Sequence, residues 1–490
     1  MGSQKAPDQT MSQLMIPPPE KRVRRRHSGV NINNRAPTNL NVSLDVLEHI
    51  FSYFPIKNAV RMGLLCTRLK KSWLYNRNFY FGRDFARGRV RGEIINIVSR
   101  IFSVHRGETI RCLRLYIEPA GVETIVECWI KKAIDKHLEE LDLDFSLGLS
   151  PFKLSAEFLD IESLTVLKLC FCELDLDLPL NLNGLRFLGT LALRNVSLTE
   201  ELIENLFGYC MNLEVLELIL CDRINLLNIF AEDHRRFKVL KVGECEDIFR
   251  IDIYAPTLCS FYYCGNVSYI HFYSSTLQLK DAVLHFMPTR GYLLHLHMRN
   301  VILNLVHVTV LTMNSTFLEG LCSNTVDGEL REMQFSLWNL KEFQLFMEGG
   351  SYCNPFDIVS FLKNCPRVEK IFIDFGDFSF ECGYYWELHA KRKFEQCRPL
   401  FNHLKVIKLK GFKFQHRELE LLNFFLGRAT FLETLTLVTP RNINRRRCGP
   451  ELRMYEQYFN SWRASPNANV TICGPSNDKC NSPVHPKNWY

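Results

Sequence analysis

The sequence lacks most of what announces a membrane protein or an enzyme. No apolar run reaches the ~18–20 residues that a helix needs to cross a bilayer. The first residues show neither the apolar stretch nor the small-residue cleavage site of a secretory signal. A reducing compartment, nucleus and/or cytoplasm, is therefore expected, with the 18 cysteines as thiols. There is no Cys-x-x-Cys pair, Cys170-x-Cys172 stands alone, and His295-x-His297 sits on alternate positions of an apolar run, so no metal site is expected. Neither a glycine-rich phosphate loop nor a Gly-x-Ser-x-Gly elbow occurs, and no cofactor is implied. A catalytic thiolate would need a base beside it to lower its pKa, and cysteine abundance alone supplies none.

Charge is scarce where folding is expected. Five of the seven net positive charges fall in residues 1–36, where seven Lys and Arg oppose Asp8 and Glu20, leaving +2 for the other 454 residues. Nucleic acid is accordingly not an expected partner of the folded part, since no broad phosphate-binding surface is needed to account for the total. Residues 1–36 contain Pro17 to Pro19 and few large apolar side chains, so they read as a disordered basic tail. Within it Lys21, Arg22, Arg24, Arg25 and Arg26 fit a nuclear import signal, a cluster of cations for an acidic receptor groove.

What the chain has is repetition. An apolar-x-x-apolar-x-apolar element appears at Ile110/Leu113/Leu115, Leu138/Leu141/Leu143, Leu164/Leu167/Leu169, Leu188/Leu191/Leu193 and Leu213/Leu216/Leu218. Phe237/Leu240/Val242 and Leu258/Phe261/Tyr263 continue it, and the first seven starts lie 28, 26, 24, 25, 24 and 21 residues apart. After a blurred stretch it returns at Leu340/Phe343/Leu345, Val368/Ile371/Ile373, Leu404/Ile407/Leu409 and Leu432/Leu435/Leu437. A period near 25 predicts leucine-rich repeats over 110–440, each coil supplying one short strand and one returning helix so that neighbours bury each other's leucines. Stretches such as 198–207 have helical spacing and are expected on the convex side. Cys172, Cys221, Cys245 and Asn266 each lie eight places after a repeat start, the Asn/Cys position of the repeat, where a small polar side chain turns inward and bonds backbone groups.

Residues 43–73, SLDVLEHIFSYFPIKNAVRMGLLCTRLKKSW, read differently. Ser43 can cap a first helix from Leu44 to Tyr53, Pro55 stops it, a second begins near Lys57, and Thr67 opens a third. Three helices of this size make one small core and leave an apolar face for a partner. The run from Val42 to Val60, with Leu44, Leu47, Ile50, Phe51, Phe54, Pro55 and Ala59, followed by Leu64-Leu65-Cys66-x-Arg68, resembles an F-box. The order of motif and repeats is similar to that of F-box/leucine-rich-repeat proteins. Tyr254 to Gly265, Asn364 to Ile371 and Phe431 to Leu435 resemble repeats of the large plant group with FBD-like C-terminal repeats. The resemblance spans about residues 40–475; Ser43 stands where the family has proline and Leu69 where it has tryptophan, while Trp73 matches a second common aromatic.

The expected fold is thus α/β: a three-helix F-box (37–82), a linker or helical cap (83–109), a horseshoe-shaped solenoid of short parallel strands and helices (110–440), and a cap and tail (441–490). The resemblance implies a non-catalytic substrate-recognition subunit of a Skp adaptor–cullin–F-box ubiquitin ligase. Its implied contacts with the Skp-type adaptor, and through it with a cullin, are Leu44, Leu47, Ile50, Phe51, Phe54, Pro55, Ala59, Val60 and Leu64. A target protein is expected on the concave strand face, at positions flanking the inward leucines: Lys168, Arg194, Glu217, Lys241, Tyr262, Gln344, Lys370, Asp374, Lys408 and Lys410. The alternative is a nuclear F-box/leucine-rich-repeat scaffold that engages no ligase.

Overall fold

The computed structural model describes residues 46, 49–50, 52–65, 71–174, 183–287, 294–322, 335–348, 353–380, 391–396, 401–441, 449–478, 481–487 and 489. The chain divides into two compact units, Met1–Asp175 and Leu176–Tyr490. The import cluster Lys21, Arg22, Arg24, Arg25 and Arg26 lies outside the described residues, as do Ser43 and Leu69.

The first unit carries strands β1 (Asn78–Phe81), β2 (Cys112–Tyr116), β3 (Glu140–Asp144), β4 (Phe152–Leu154), β5 (Val166–Cys170) and β6 (Cys172–Leu174). β1, β2, β3 and β5 pair parallel in that order, and β4 pairs with β6 in a second small sheet. Leucines two apart, such as Leu141 and Leu143, point inward on one face of the pleat, while Glu140, Asp142 and Asp144 point outward. Helix Arg91–Val104 buries Ile94, Val98, Ile101 and Phe102, and helix Glu123–Ile134 buries Val126, Trp129, Ile130 and Ala133. The i, i+3, i+4 spacing makes one apolar stripe on each, and the stripes meet where Phe102 stacks on Trp129.

The second unit begins with β7 (Thr190–Arg194), β8 (Val215–Ile219), β9 (Leu226–Phe230), β10 (Val239–Gly243), β11 (Arg250–Tyr254), β12 (Ser260–Gly265) and β13 (Tyr269–Phe272). It continues with β14 (Asp281–Phe286), β15 (Val310–Asn314), β16 (Glu342–Phe346), β17 (Lys370–Asp374), β18 (Val406–Lys410), β19 (Thr434–Val438) and β20 (Asn469–Cys473). β7, β8, β10, β12 and β14 to β20 pair parallel in that order. Parallel pairing of successive coils is the leucine-rich-repeat arrangement that the spacing predicts.

Four details differ from the expectation. β14 and β15 fill the blurred stretch with ordinary coils, Leu279/Ala282/Leu284 and Val308/Leu311/Met313 occupying the repeat positions. In the first unit parallel pairing starts with β1, inside the segment assigned to the F-box, and in the second it reaches β20, beyond residue 440. Not every coil returns by a helix: Glu200–Tyr209 is helical, capped by Thr199 Oγ1 accepting from the Leu202 amide, but β9, β11 and β13 form a three-stranded sheet instead. Coils of 21–24 residues are too short for strand, turns and helix together, and alternating Leu227/Ile229 and Ile251/Ile253 suit a strand. Between β17 and β18 lies helix Lys391–Gln396, while 381–390 lies outside the described residues.

The corner after the strand explains the fourth. Phe171, Asn195, Leu220 and Glu244 each follow a strand with φ between 51 and 58°, the left-handed turn that swings the chain off the sheet. Gly411 does the same after β18 at φ 75°, where a Cβ would come within 2.8 Å of the Gly376 amide nitrogen. The next residue turns inward: Cys221 Sγ reaches the Leu193 carbonyl at 3.4 Å and Cys245 Sγ the Leu218 carbonyl at 3.6 Å, tying adjacent coils. Asn266 follows only in part: its Nδ2 donates to the Glu246 carbonyl at 3.3 Å, but its side chain does not turn inward. β12 runs one residue longer with no left-handed corner, so Asn266 is half-exposed, and Tyr263 and Ser268 fill the interior, Ser268 Oγ donating to the Ile248 carbonyl at 2.7 Å.

Candidate functional site

Two surfaces carry the residues singled out by the sequence. The first lies at the start of the first unit. Val46, Ile50, Tyr53 and Phe54 are 49, 46, 45 and 39% exposed, large apolar side chains close together in sequence. Pro55 is half-buried and its carbonyl accepts from the Asn58 and Ala59 amides, opening helix Ile56–Leu65. Ala59 and Val60 are buried, so they fill the core beneath that helix rather than present a contact surface. Leu44, Leu47 and Phe51 lie outside the described residues, as does the side chain of Leu64.

Polar bonds fasten this exposed cluster to the first strand. Asn76 Nδ2 donates to the Phe54 carbonyl at 2.7 Å, and Asn78 Nδ2 donates to the Tyr53 carbonyl at 2.6 Å. The Arg77 amide donates to the Ser52 carbonyl at 2.9 Å, and the Arg77 guanidinium lies over the Tyr53 ring at 5.8 Å. Both asparagines are buried, as is Trp73 in the turn Ser72–Tyr75. The two asparagines carry no signal in the motif; only their side-chain amides, each able to donate twice, suit them to hold two carbonyls in a tight corner.

Beside this cluster, the outward side of β1 to β3 lines a groove of about 750 Å³ with Lys57, Tyr80, Arg83, Arg114, Asp142 and Asp144. Its charges are paired: Arg83 Nε to Asp144 Oδ2 at 3.0 Å and Arg114 Nε to Asp142 Oδ2 at 2.6 Å. Burial raises the Asp142 carboxyl above its usual range even though Arg114 and Lys168 pull it down. Lys168, opposite Asp142 on β5, is exposed.

The second surface is the outward face of the second unit. Strand register sets Glu217, Lys241, Tyr262, Val283, Thr312, Gln344, Phe372, Lys408 and Thr436 in one column across β8 to β19. Nine of the ten expected target contacts lie on this face, in or beside that column. Glu217 and Lys241 pair at 2.6 Å, and the Lys241 ammonium sits over the Tyr262 ring. Arg194 is exposed on β7; Lys370 meets Glu342 at 3.4 Å, and Lys410 meets Asp374 at 2.9 Å.

From Val283 to Thr436 the column is not open to solvent. Thr312, Gln344, Phe372, Lys408 and Thr436 are all buried, and Asp478, residues 481–487 and Trp489 of the same chain lie against this part of the face. Lys408 Nζ meets Asp478 Oδ1 at 2.6 Å and donates to the Asn481 carbonyl at 3.1 Å. The Val484 amide donates to Glu342 Oε1 at 2.6 Å. His485, itself buried, bridges Thr312 Oγ1 at 2.8 Å and Asp281 Oδ1 at 3.3 Å. Burial alone would raise the Asp281 carboxyl, but hydrogen bonds from His485, Ser260 and Tyr262 hold it below its ordinary value.

Among the described residues no group of three or more His, Cys, Asp and Glu is placed to hold a metal ion. Burial pushes the Cys112 and Cys210 thiols up to about 12, and raises Cys172 and Cys365 as well, away from the reactive thiolate. No described helix is long and apolar enough to cross a membrane.

Comparison with known proteins agrees with this architecture. A family profile described as "At1g61320/AtMIF1, LRR domain" matches residues 101–468. The chain is similar to the FBD-associated F-box protein At1g61320 of Arabidopsis thaliana, 32% identical over 435 residues that cover 87% of this chain and 94% of that protein. It is also similar to the putative FBD-associated F-box protein At1g61330 of the same plant, 31% identical over 82% of this chain and 91% of the relative. The F-box/FBD/LRR-repeat protein At1g13570, again from Arabidopsis thaliana, is 22% identical over 80% of this chain and 88% of its own length.

Proposed function

We propose, because the chain belongs to the family of FBD-associated F-box proteins built on leucine-rich repeats, that it is the substrate-recognition subunit of a Skp adaptor–cullin–F-box ubiquitin ligase. In this reading it performs no bond chemistry itself. The segment around Val46 to Phe54 docks on the adaptor, and the outward strand face of the second unit binds a target protein. Holding the target near the ubiquitin-charged enzyme raises its effective concentration, which is the subunit's whole contribution to rate.

The observation that carries the reading is the exposed apolar group Val46, Ile50, Tyr53 and Phe54 held by Asn76 and Asn78. Large apolar side chains left this far exposed favour a partner, and the fastening of Tyr53 and Phe54 lowers the entropy lost on docking. Nuclear residence through Lys21, Arg22, Arg24, Arg25 and Arg26 belongs to the same proposal.

Co-purification with a Skp-type adaptor tests it. The wild-type chain is expected to form a stable complex, and Ile50→Asp together with Phe54→Asp to weaken it roughly a hundredfold, as loss of central interface anchors does. A complex that survives both substitutions, or never forms with the wild type, removes the docking assignment.

A further inference from the structure

Asp478, residues 481–487 and Trp489 are bound to the strand face as a ligand would be. The contacts are specific and spread over several coils: Lys408 with Asp478 and the Asn481 carbonyl, Glu342 with the Val484 amide, and Asp281 and Thr312 with His485. Lys487 reaches Asp374 Oδ2 at 3.8 Å and lies over the Phe346 ring, while Trp489 and His485 both pack edge-on against Tyr262 at 5.3 Å. The face offers carboxylates at Asp281, Glu342 and Asp374; the segment answers with an imidazole, an ammonium, an amide and an indole. Pro483 and Pro486 flank Val484 and His485, fixing φ and removing two amide donors. The two rings stiffen a segment that bends at Val484, His485 and Lys487, and it docks by side chains rather than as an added strand.

The fit is incomplete. A cavity of about 380 Å³ remains between the segment and the face, lined by Gln344, Phe346, Phe372, Lys410, Pro483 and Val484. A resident whose side chains leave space under it is replaceable by one that fills it.

We propose that the strand face from β12 to β18 is a peptide-binding groove, that residues 481–487 with Trp489 are its intramolecular ligand, and that a protein partner enters by displacing them. The partner's segment would be proline-flanked, presenting an imidazole or similar donor to Asp281, a cation to Asp374 and an aromatic ring to Tyr262. Only this partner clause rests on the target-binding reading of the face; the intramolecular occupancy stands without it. Tethering gives the resident segment an effective concentration on the order of millimolar, so an external segment of equal affinity competes poorly until the resident is weakened.

The test uses the full chain and a fluorescent synthetic peptide of residues 478–490. Wild type is expected to bind the peptide at least tenfold more weakly than the full-length variant His485→Ala with Trp489→Ala, whose own segment is loosened. Adding Asp281→Asn to that variant should remove most of the gain. Equal binding to wild type and variant, or indifference to Asp281→Asn, overturns the proposal. Hydrogen–deuterium exchange on the wild type needs no variant: the Val484 amide should be protected, and exchange as fast as in the free peptide also overturns it. Adaptor co-purification on the same proteins separates the two readings, since loss of adaptor binding with peptide binding intact removes the ligase function and leaves the groove.

Discussion

On β2 and β3 the outward side chains Arg114 and Asp142 meet each other and water, whereas on β15 to β18 their counterparts Thr312, Gln344, Phe372 and Lys408 are buried. The inward sides of the two units follow one rule, leucine or its substitute at every second place. The outward sides therefore differ by cover, not by strand geometry. An exposed ion pair between long side chains contributes little, because water screens it and ordering it costs entropy. A buried ammonium such as Lys408 has lost its hydration and depends on Asp478 and the Asn481 carbonyl to replace it. The same repeat thus supports a wet face whose charges are nearly free to change and a dry one whose charges are fixed by their neighbours.

Four measurements would break or sharpen that contrast. Lys408→Ala should destabilise the protein by about 3 kcal/mol in chemical denaturation, since it leaves a largely buried carboxylate at Asp478 unpaired. A loss no larger than that of an exposed pair would show the face to be wet after all. The next effect is one of pH and belongs to the first unit, away from its outward face. His105 is held neutral, its pKa lowered to about 4, first by burial and then by the ammonium of Lys136, 3.0 Å from Nδ1; Nε2 donates to the Asn76 carbonyl. Unfolding restores the ordinary value of 6.5, so the unfolded chain binds the extra proton between the two. Stability from this site is full above pH 6.5 and declines as pH falls toward about 4; His105→Gln should flatten that part of a denaturation-versus-pH curve.

A smaller effect comes from salt. Raising ionic strength to 1 M cuts the screening length to about 3 Å, which should weaken the Arg83–Asp144 and Arg114–Asp142 pairs while leaving amide protection at Val484 nearly unchanged. Smallest of all, Arg114→Ala should cost under about 1 kcal/mol by the same denaturation assay, a value typical of exposed pairs. If it matched Lys408→Ala, the two faces would be alike.

The stacked coils were legible from Leu141/Leu143 and their equivalents, because burial on one side of a pleat demands an apolar residue at every second place. β14 and β15 were missed where Ala282 and Met313 hold leucine positions: each is apolar enough for the interior but breaks the visual run. The outermost strands hid for another reason, since Asn76 and Asn467 stand three places before Phe79 and Val470, where the pattern wants an apolar residue. The F-box resemblance pointed to Ile50 and Phe54, which are exposed, and equally to Ala59 and Val60, which are buried; helical spacing alone does not say which side of a small bundle faces a partner. Least legible was the cover over Gln344 and Lys408. His485 and Asp281 lie 204 residues apart, and no local pattern records a contact over that distance.

The amides of Asn76 and Asn78 that clasp Tyr53 and Phe54 have a mechanical consequence. Two short bonds to consecutive carbonyls make a bracket rather than a tether, so Tyr53 and Phe54 cannot swivel freely about the strand that follows them. In the proposed complex, lengthening the Leu74–Arg77 corner would convert that bracket into a hinge, and transfer should become slower and less selective among acceptor lysines even with both binding affinities intact.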